Sequence, residues 1–329
     1  MDEVTEALKA ELSVLEELQV YRYLQKDELC DSDIMVPSRL LIKRKADGKC
    51  KVRFVAQQLN RGAPMDVFAP APSVVALRVL LATAMKNNWP VWLGDVSAAF
   101  GHTPIGQDPR TVLRPPRGVF PPDVYLHMLA AIYGLRMSPR EWSEFYALCM
   151  KRVKLRRLKV EPQLFQHDSG LLVMAHVDDV IITGPPAILE TIKAEIQVEM
   201  RMKWLQEVGS EWTSYLGRAI RRNADGSFDL RMKPGYYARV AELVGLDSAK
   251  PYAMPLQSLP TEEPDSPALP ESKAVTYRTV IGKLLWCSPI RLDLTFATME
   301  LSRHVSKPRE VDWARLRHVV KYLRGSGDM

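Results

Sequence analysis

Leu171-Leu172-Val173-Met174-Ala175-His176-Val177-Asp178-Asp179-Val180-Ile181-Ile182-Thr183 sets two apolar runs around a pair of adjacent acids. Runs rich in Val and Ile, interrupted in this way, read as a β-hairpin with both carboxylates at its turn. Burying the runs would hold the acids at a fixed rim. Adjacent carboxylates repel each other and are hard to keep ionised without a compensating cation, so a divalent metal is their natural partner. A Mg2+ site usually needs another carboxylate.

Asp95 is the candidate for it. Val74–Asn87 reads as a largely apolar helix, and Trp89–Val96 after it as a buried strand that brings Asp95 to its end, ahead of Ser97-Ala98-Ala99-Phe100. An acid at a strand end ordinarily caps the next helix. If instead its strand lies beside the hairpin, Asp95 and Asp178 sit on one edge and can share metal ions.

Upstream, Arg39–Ile42 and Lys51–Ala56 are short strand-like runs separated by Ala46-Asp47-Gly48, a tight-turn signal. The hairpin they form carries Lys43, Arg44, Lys45, Lys49, Lys51 and Arg53. Such a strand pair is suited to gripping a nucleoside triphosphate or template phosphates, and equally to being an edge protected by lysines. The local pattern leaves both readings open. A second basic cluster runs from Lys151 to Lys159, while Thr261–Glu271 is acidic and proline-rich.

With 329 residues, 47% of them hydrophobic, the chain can bury the core of one large or two ordinary domains. Lys and Arg number 45 against 39 Asp and Glu, a net charge of +6 that favours a polyanionic partner. Cys30, Cys50, Cys149 and Cys287 lie far apart, which points to reduced thiols rather than a zinc site or disulfide framework. No apolar run reaches bilayer-spanning length and the start, Met1-Asp2-Glu3-Val4, is unlike a secretory signal, so an intracellular protein without a membrane partner is expected.

The remaining segments read as framework. Val4–Leu18 has helical apolar spacing and is taken as structural. Tyr133-Gly134-Leu135 is a turn in which Gly134 permits an unusual backbone, and Ser138-Pro139 starts a helix, Ser as cap, that runs to about Arg157. Pro186–Met202 is an amphipathic helix, Phe228–Met232 a strand after a second hairpin turn, and Tyr236–Leu243 begins a helix. Pro255–Ser272 reads as a flexible linker, followed by helices around Tyr277–Cys287, Leu294–His304 and Val311–Arg324. The basic residues of the last helix, Arg315, Arg317, His318, Lys321 and Arg324, are expected to line a duplex or to face solvent. Asp168-Ser169-Gly170 resembles an aspartic-protease tripeptide but sits in an ordinary turn.

Taken in order, Asp95-Val96-Ser97-Ala98-Ala99-Phe100, Tyr133-Gly134-Leu135 and Val177-Asp178-Asp179 resemble the palm motifs of the reverse transcriptase of copia-type LTR retrotransposons. Lys43–Gly48 with Lys51–Ala56 is similar to that family's fingers, and Val67-Phe68-Ala69-Pro70 to its Thr-Phe-Ala-Pro segment. Tyr277-Arg278, Ile281–Leu285, Arg291–Leu294 and Leu301–Arg303 look like its connection region. Nearly the whole chain is covered.

The resemblance implies an α+β right-hand polymerase with fingers, palm and thumb, and with a helical connection region. Its expected divisions are a helical lead-in over 1–36, fingers and palm over 37–215, primer grip and thumb over 216–254, a linker over 255–272 and the connection over 273–329, with no ribonuclease H. The implied activity is RNA-directed DNA polymerisation with two Mg2+ ions, or Mn2+, held by Asp95 and Asp178, with Asp179 supporting them electrostatically. Lys51 and Arg53 would contact the triphosphate, the assignment between them open. Phe100 would be the gate against a ribose 2′-hydroxyl, Met137 would lie at the nucleotide pocket, and His176 with Tyr215-Leu216-Gly217 would sit at the primer. The implied partners are an RNA template, a DNA primer and product, dNTPs and other Pol or Gag products, in the cytoplasm, in virus-like particles or in the nucleus. Three places depart from the family pattern, one of them Gly101-His102, which follows Phe100 where Leu-Asn-Gly or similar is common. His176 replaces a Tyr, and Met137 replaces a Gln and with it a hydrogen bond. A non-catalytic, nucleic-acid-binding remnant of the same fold is the alternative expectation.

Overall fold

The computed structural model describes residues 3–44, 48–59, 66–246, 248–256 and 265–327. The chain divides into two compact units, Met1–Glu207 and Val208–Met329. In the first, α1 (Glu3–Glu17) precedes β1 (Tyr21–Gln25), β2 (Ile34–Arg44), β3 (Cys50–Ala56), α2 (Val74–Asn87), β4 (Val91–Val96), β5 (Thr111–Arg114) and β6 (Val124–Met128). There follow α3 (Ser138–Arg152), β7 (Arg156–Arg157), β8 (Leu164–Gln166), β9 (Leu172–His176), β10 (Asp179–Thr183), α4 (Pro186–Glu199) and β11 (Met202–Glu207).

These strands form two sheets. One has the order β1-β6-β5-β2-β3, and the other, entirely antiparallel, β11-β4-β10-β9-β8-β7. The continuous apolar runs around Asp178 follow from burial of the second sheet on both faces. Val173, Ala175, Val180 and Ile182 join Trp142 and Tyr146 of α3 and Leu189 and Ile192 of α4 in one core cluster. The alternate positions Leu172, Met174 and Ile181 are buried as well, and α2 packs on β9 and β10.

In the second unit, β12 (Thr213–Tyr215), β13 (Arg218–Arg222) and β14 (Phe228–Met232) form a meander, followed by α5 (Tyr236–Leu243), α6 (Glu271–Cys287), α7 (Thr295–Ser302) and α8 (Glu310–Ser326). Its core is built on Tyr277, Leu284, Leu301, Leu316 and Val319.

Several local expectations are corrected. The helix from Ser138 stops at Arg152, because the chain turns through Lys154 at φ 60° and Arg156–Arg157 pairs as an edge strand with β8. Ser138 does not cap that helix; it is buried and its hydroxyl donates to Ile132 O at 2.7 Å. The helix from Pro186 ends at Glu199, and Met202 opens β11. The linker expected over Pro255–Ser272 already enters α6 at Glu271, and its residues 257–264 lie outside the described residues, as does the tip Lys45–Asp47 of the basic hairpin. Several basic residues of α8 also hydrogen-bond main-chain carbonyls. Arg317 donates to Val244 O at 2.6 Å, Arg324 to Ala249 O at 2.7 Å, and the His318 ring lies 3.0 Å from Met254 O. They are engaged in satisfying the carbonyls of an irregular segment that has few backbone partners of its own.

Candidate active site

The sheet pairs β4 with β10, so the two strands on which the role of Asp95 turns are neighbours. Asp95 lies directly opposite Asp179 on one side and Lys203 of β11 on the other. It caps no helix: the following 3-10 turn, Ala99–His102, starts from Ala98 without a side-chain cap bond. Asp178 occupies the turn between β9 and β10, and its carbonyl accepts the Val96 N–H at 2.8 Å. The other turn residue, Val177, has φ 56°, a left-handed conformation that costs a β-branched residue about 1–3 kcal/mol.

A second bond fixes this turn. Trp142 Nε1 on α3 donates to Val177 O at 3.1 Å, so the backbone beside Asp178 is tied to the helix as well as to β4. Trp142→Phe removes the donor and part of a buried ring, and should cost about 1–3 kcal/mol in a urea unfolding curve. An unchanged midpoint would mean that the carbonyl finds another donor.

Asp95 and Asp178 line a single cavity of about 220 Å3 with Lys51, Arg53, Ser97, Phe100 and Tyr133. Strand alternation explains the cations. Val52, Phe54 and Ala56 of β3 are buried, and the intervening Lys51 and Arg53 line the cavity. The Arg53 guanidinium stacks over the Tyr133 ring, 4.4 Å from its centroid, and Tyr133 meets Phe100 edge-on at 4.7 Å. A cation, a phenol and a buried phenyl thus form one wall.

Burial raises the pKa of Asp95 above its ordinary value, the charge of Asp178 adds to this, and Lys51, Lys203 and Arg53 oppose it. A carboxyl whose pKa rises on folding holds its proton more tightly in the folded state, so its ionisation disfavours folding from about pH 4 upward. In metal-free protein, Asp95→Asn should therefore raise the melting temperature near neutral pH by the order of 1–3 °C, a gain that vanishes below about pH 4. A lower melting temperature at pH 7 would contradict this.

Not every expected residue joins the cavity. Asp179, His176 and Met137 are half-buried and outside its lining: Asp179 opens β10, His176 closes β9, and Met137 precedes the first turn of α3. Tyr215, Leu216 and Gly217 belong to the second unit, where Leu216 (φ 44°) and Gly217 (φ 76°) make the tight turn between β12 and β13 and Tyr215 is buried. The cavity also holds a residue to which the sequence assigned no role, Glu11 of α1, beside Val14 and Leu15.

Residues 30–258 match the family described as reverse transcriptase (RNA-dependent DNA polymerase). The chain belongs to the reverse transcriptase family. This reverse transcriptase domain is of the copia type, and its relatives are transposon proteins. It is 24% identical to the retrovirus-related Pol polyprotein from transposon TNT 1-94 of Nicotiana tabacum, across 99% of this chain and 26% of that protein. It is 29% identical to the putative transposon Ty5-1 protein of Saccharomyces cerevisiae, across 70% of this chain and 74% of that protein. Identity to the Pol polyprotein from transposon RE2 of Arabidopsis thaliana is 26%, over 84% of this chain and 19% of the relative. The reverse transcriptase domain thus spans about a quarter or less of the two Pol polyproteins. Among solved structures, a foamy viral protease–reverse transcriptase in complex with double-stranded DNA superposes with a TM-score of 0.52 at 12% identity, over 99% of this chain and 58% of that one. That likeness, with the mixed sheets and helices, gives the α+β right-hand polymerase fold.

Proposed function

We propose that this chain extends a DNA primer on an RNA or DNA template by two-metal nucleotidyl transfer, with Asp95 and Asp178 as metal ligands. The observation that carries this reading is the convergence of those two acids with Lys51 and Arg53 on one cavity. The donor set suits Mg2+, which is commonly bound by one or two carboxylates together with substrate phosphates and water. Among the described residues no group of three or more His, Cys, Asp or Glu converges as a metal site, so triphosphate oxygens and water would complete the shell. The high pKa of Asp95 fits the same group, since a cation would relieve the repulsion from Asp178. When bound, the divalent ions acidify the primer 3′-hydroxyl and neutralise the triphosphate and departing pyrophosphate.

The chain's own residues do the rest. Lys51 and Arg53 bind the phosphates, and Tyr133 holds the Arg53 plane in place. Phe100, buried and braced by Tyr133, blocks the space a ribose 2′-hydroxyl would need. Asp179, opposite Asp95, adds negative charge behind the ligands. His176 at the hairpin end, Met137 at the start of α3, and the Tyr215-Leu216-Gly217 turn are assigned to the primer and nucleotide surroundings. The nucleic-acid partner is supported by the foamy viral relative, which was solved with double-stranded DNA. The presence of both Asp95 and Asp178 in the cavity supports catalysis over a non-catalytic remnant.

The test is extension of a DNA primer on an RNA template with dNTPs and Mg2+ or Mn2+. Incorporation that stops on chelation is expected; absence of extension with either metal would sink the polymerase reading.

A further inference from the structure

Helix α1 lies along β3, the edge of its sheet. The outward N–H groups of an edge strand need partners, and three of those of β3 find them in carboxylates and a carbonyl. Cys50 N–H donates to Glu3 Oε1 at 2.7 Å, Phe54 N–H to Glu11 Oε1 at 3.3 Å, and Ala56 N–H to Tyr133 O at 2.8 Å. Of the two carboxylates, Glu11 also lines the cavity that holds Asp95 and Asp178.

Its charge acts on the same two cations. Lys51 and Arg53 lower the pKa of Glu11, and both do the same for Asp95, so the two cations are shared by acids that line the same cavity. Burial is the larger influence on Glu11 and raises its pKa. The cavity thus holds three acids and two cations.

We propose that Glu11 sets the affinity of the site for the triphosphate: it is the resident counter-charge of Lys51 and Arg53, and an incoming triphosphate must take those cations over from it. This rests on the polymerase reading of the site and adds a residue to it. Once the phosphates are in place, the Glu11 carboxylate faces them as a like charge, so it weakens binding of triphosphate and of departing pyrophosphate alike. The Phe54 N–H bond anchors the carboxylate beside the strand, so the competition is built into the fold.

Glu11→Gln separates charge from structure, because the amide oxygen still accepts the Phe54 N–H. The variant should lower the KM for dNTP roughly three- to tenfold at low salt, with kcat within about twofold, and the difference should shrink as salt rises. Inorganic tripolyphosphate, titrated calorimetrically with Mg2+, should bind the variant more tightly by a similar factor, and this readout needs no catalysis. A tripolyphosphate affinity that is unchanged or weaker in Glu11→Gln overturns the proposal, as does failure of both proteins to bind it. Tighter binding without any primer extension by the parent chain would support the role of Glu11 while sinking the polymerase reading. A Glu11→Ala control that loses stability where Glu11→Gln does not would assign the Phe54 bond to structure and leave the affinity change to charge.

Discussion

Asp178→Asn should reduce Mg2+-dependent primer extension by at least about a thousandfold, which corresponds to roughly 4 kcal/mol of transition-state stabilisation. The substitution keeps the shape of the side chain and leaves the two main-chain anchors of the turn, the Val96 N–H on Asp178 O and the Trp142 indole on Val177 O, untouched. What disappears is one of the three carboxylates lining the cavity beside Lys51 and Arg53. Stability should not fall, since the Asp178 charge is among the causes that disfavour ionised Asp95. Single-nucleotide extension with matched melting curves reads both quantities. Extension within tenfold of the parent would remove Asp178 from the chemistry, and a collapse in melting temperature would turn the loss into a folding defect.

Gly134→Ala should destabilise the first unit by roughly 3 kcal/mol or more. Gly134 sits at φ 90°, where a side chain is strained whatever the space around it. The space is also absent, because an added Cβ would fall on the carbonyl oxygen of Ala56. That close approach fastens the Tyr133-Gly134-Leu135 turn to the cationic strand: Ala56 N–H donates to Tyr133 O at 2.8 Å, Gln58 N–H to Gly134 O at 3.3 Å, and Arg136 N–H to Gln58 Oε1 at 2.8 Å. Neither partner can retreat without moving Tyr133 from under Arg53. Urea unfolding of the variant is the measurement, and a midpoint equal to the parent's would mean that the turn is not held as described.

The parts of the fold legible in the sequence were those written in local periodicity. The apolar spacing of α2 gave its limits, and the paired runs around Asp178 gave β9 and β10, because period and turn chemistry are properties of adjacent residues. Asp95 was visible as an acid at a strand end, but its partnership depended on which strand lay beside it, a fact held by no local pattern. The end of α3 was misjudged because Lys151–Arg157 is compatible with a helix; tertiary pairing with β8 draws Arg156 and Arg157 into a strand. Glu11 was invisible for a different reason. The pattern of α1 announces an apolar face ending in the buried Leu15, yet an acid at the margin of that face looks like any solvated glutamate until the neighbour it leans on is known. The hydrogen bonds made by α8 were equally out of reach, since carbonyls of an irregular segment leave no signature in sequence.

The order of strands in the second sheet also constrains how the chain is made. β4 is flanked by β10 and β11, both of which come from later in the sequence. On a ribosome adding about 5–20 residues per second, the strand that carries Asp95 waits on the order of ten seconds for its partners, with both edges open. Its apolar run, Val91-Trp92-Leu93, is then a surface for chaperones or for other nascent chains. Release before Lys203 would leave Asp95 without that partner on its β11 side, so a shortened product would keep this edge of β4 open.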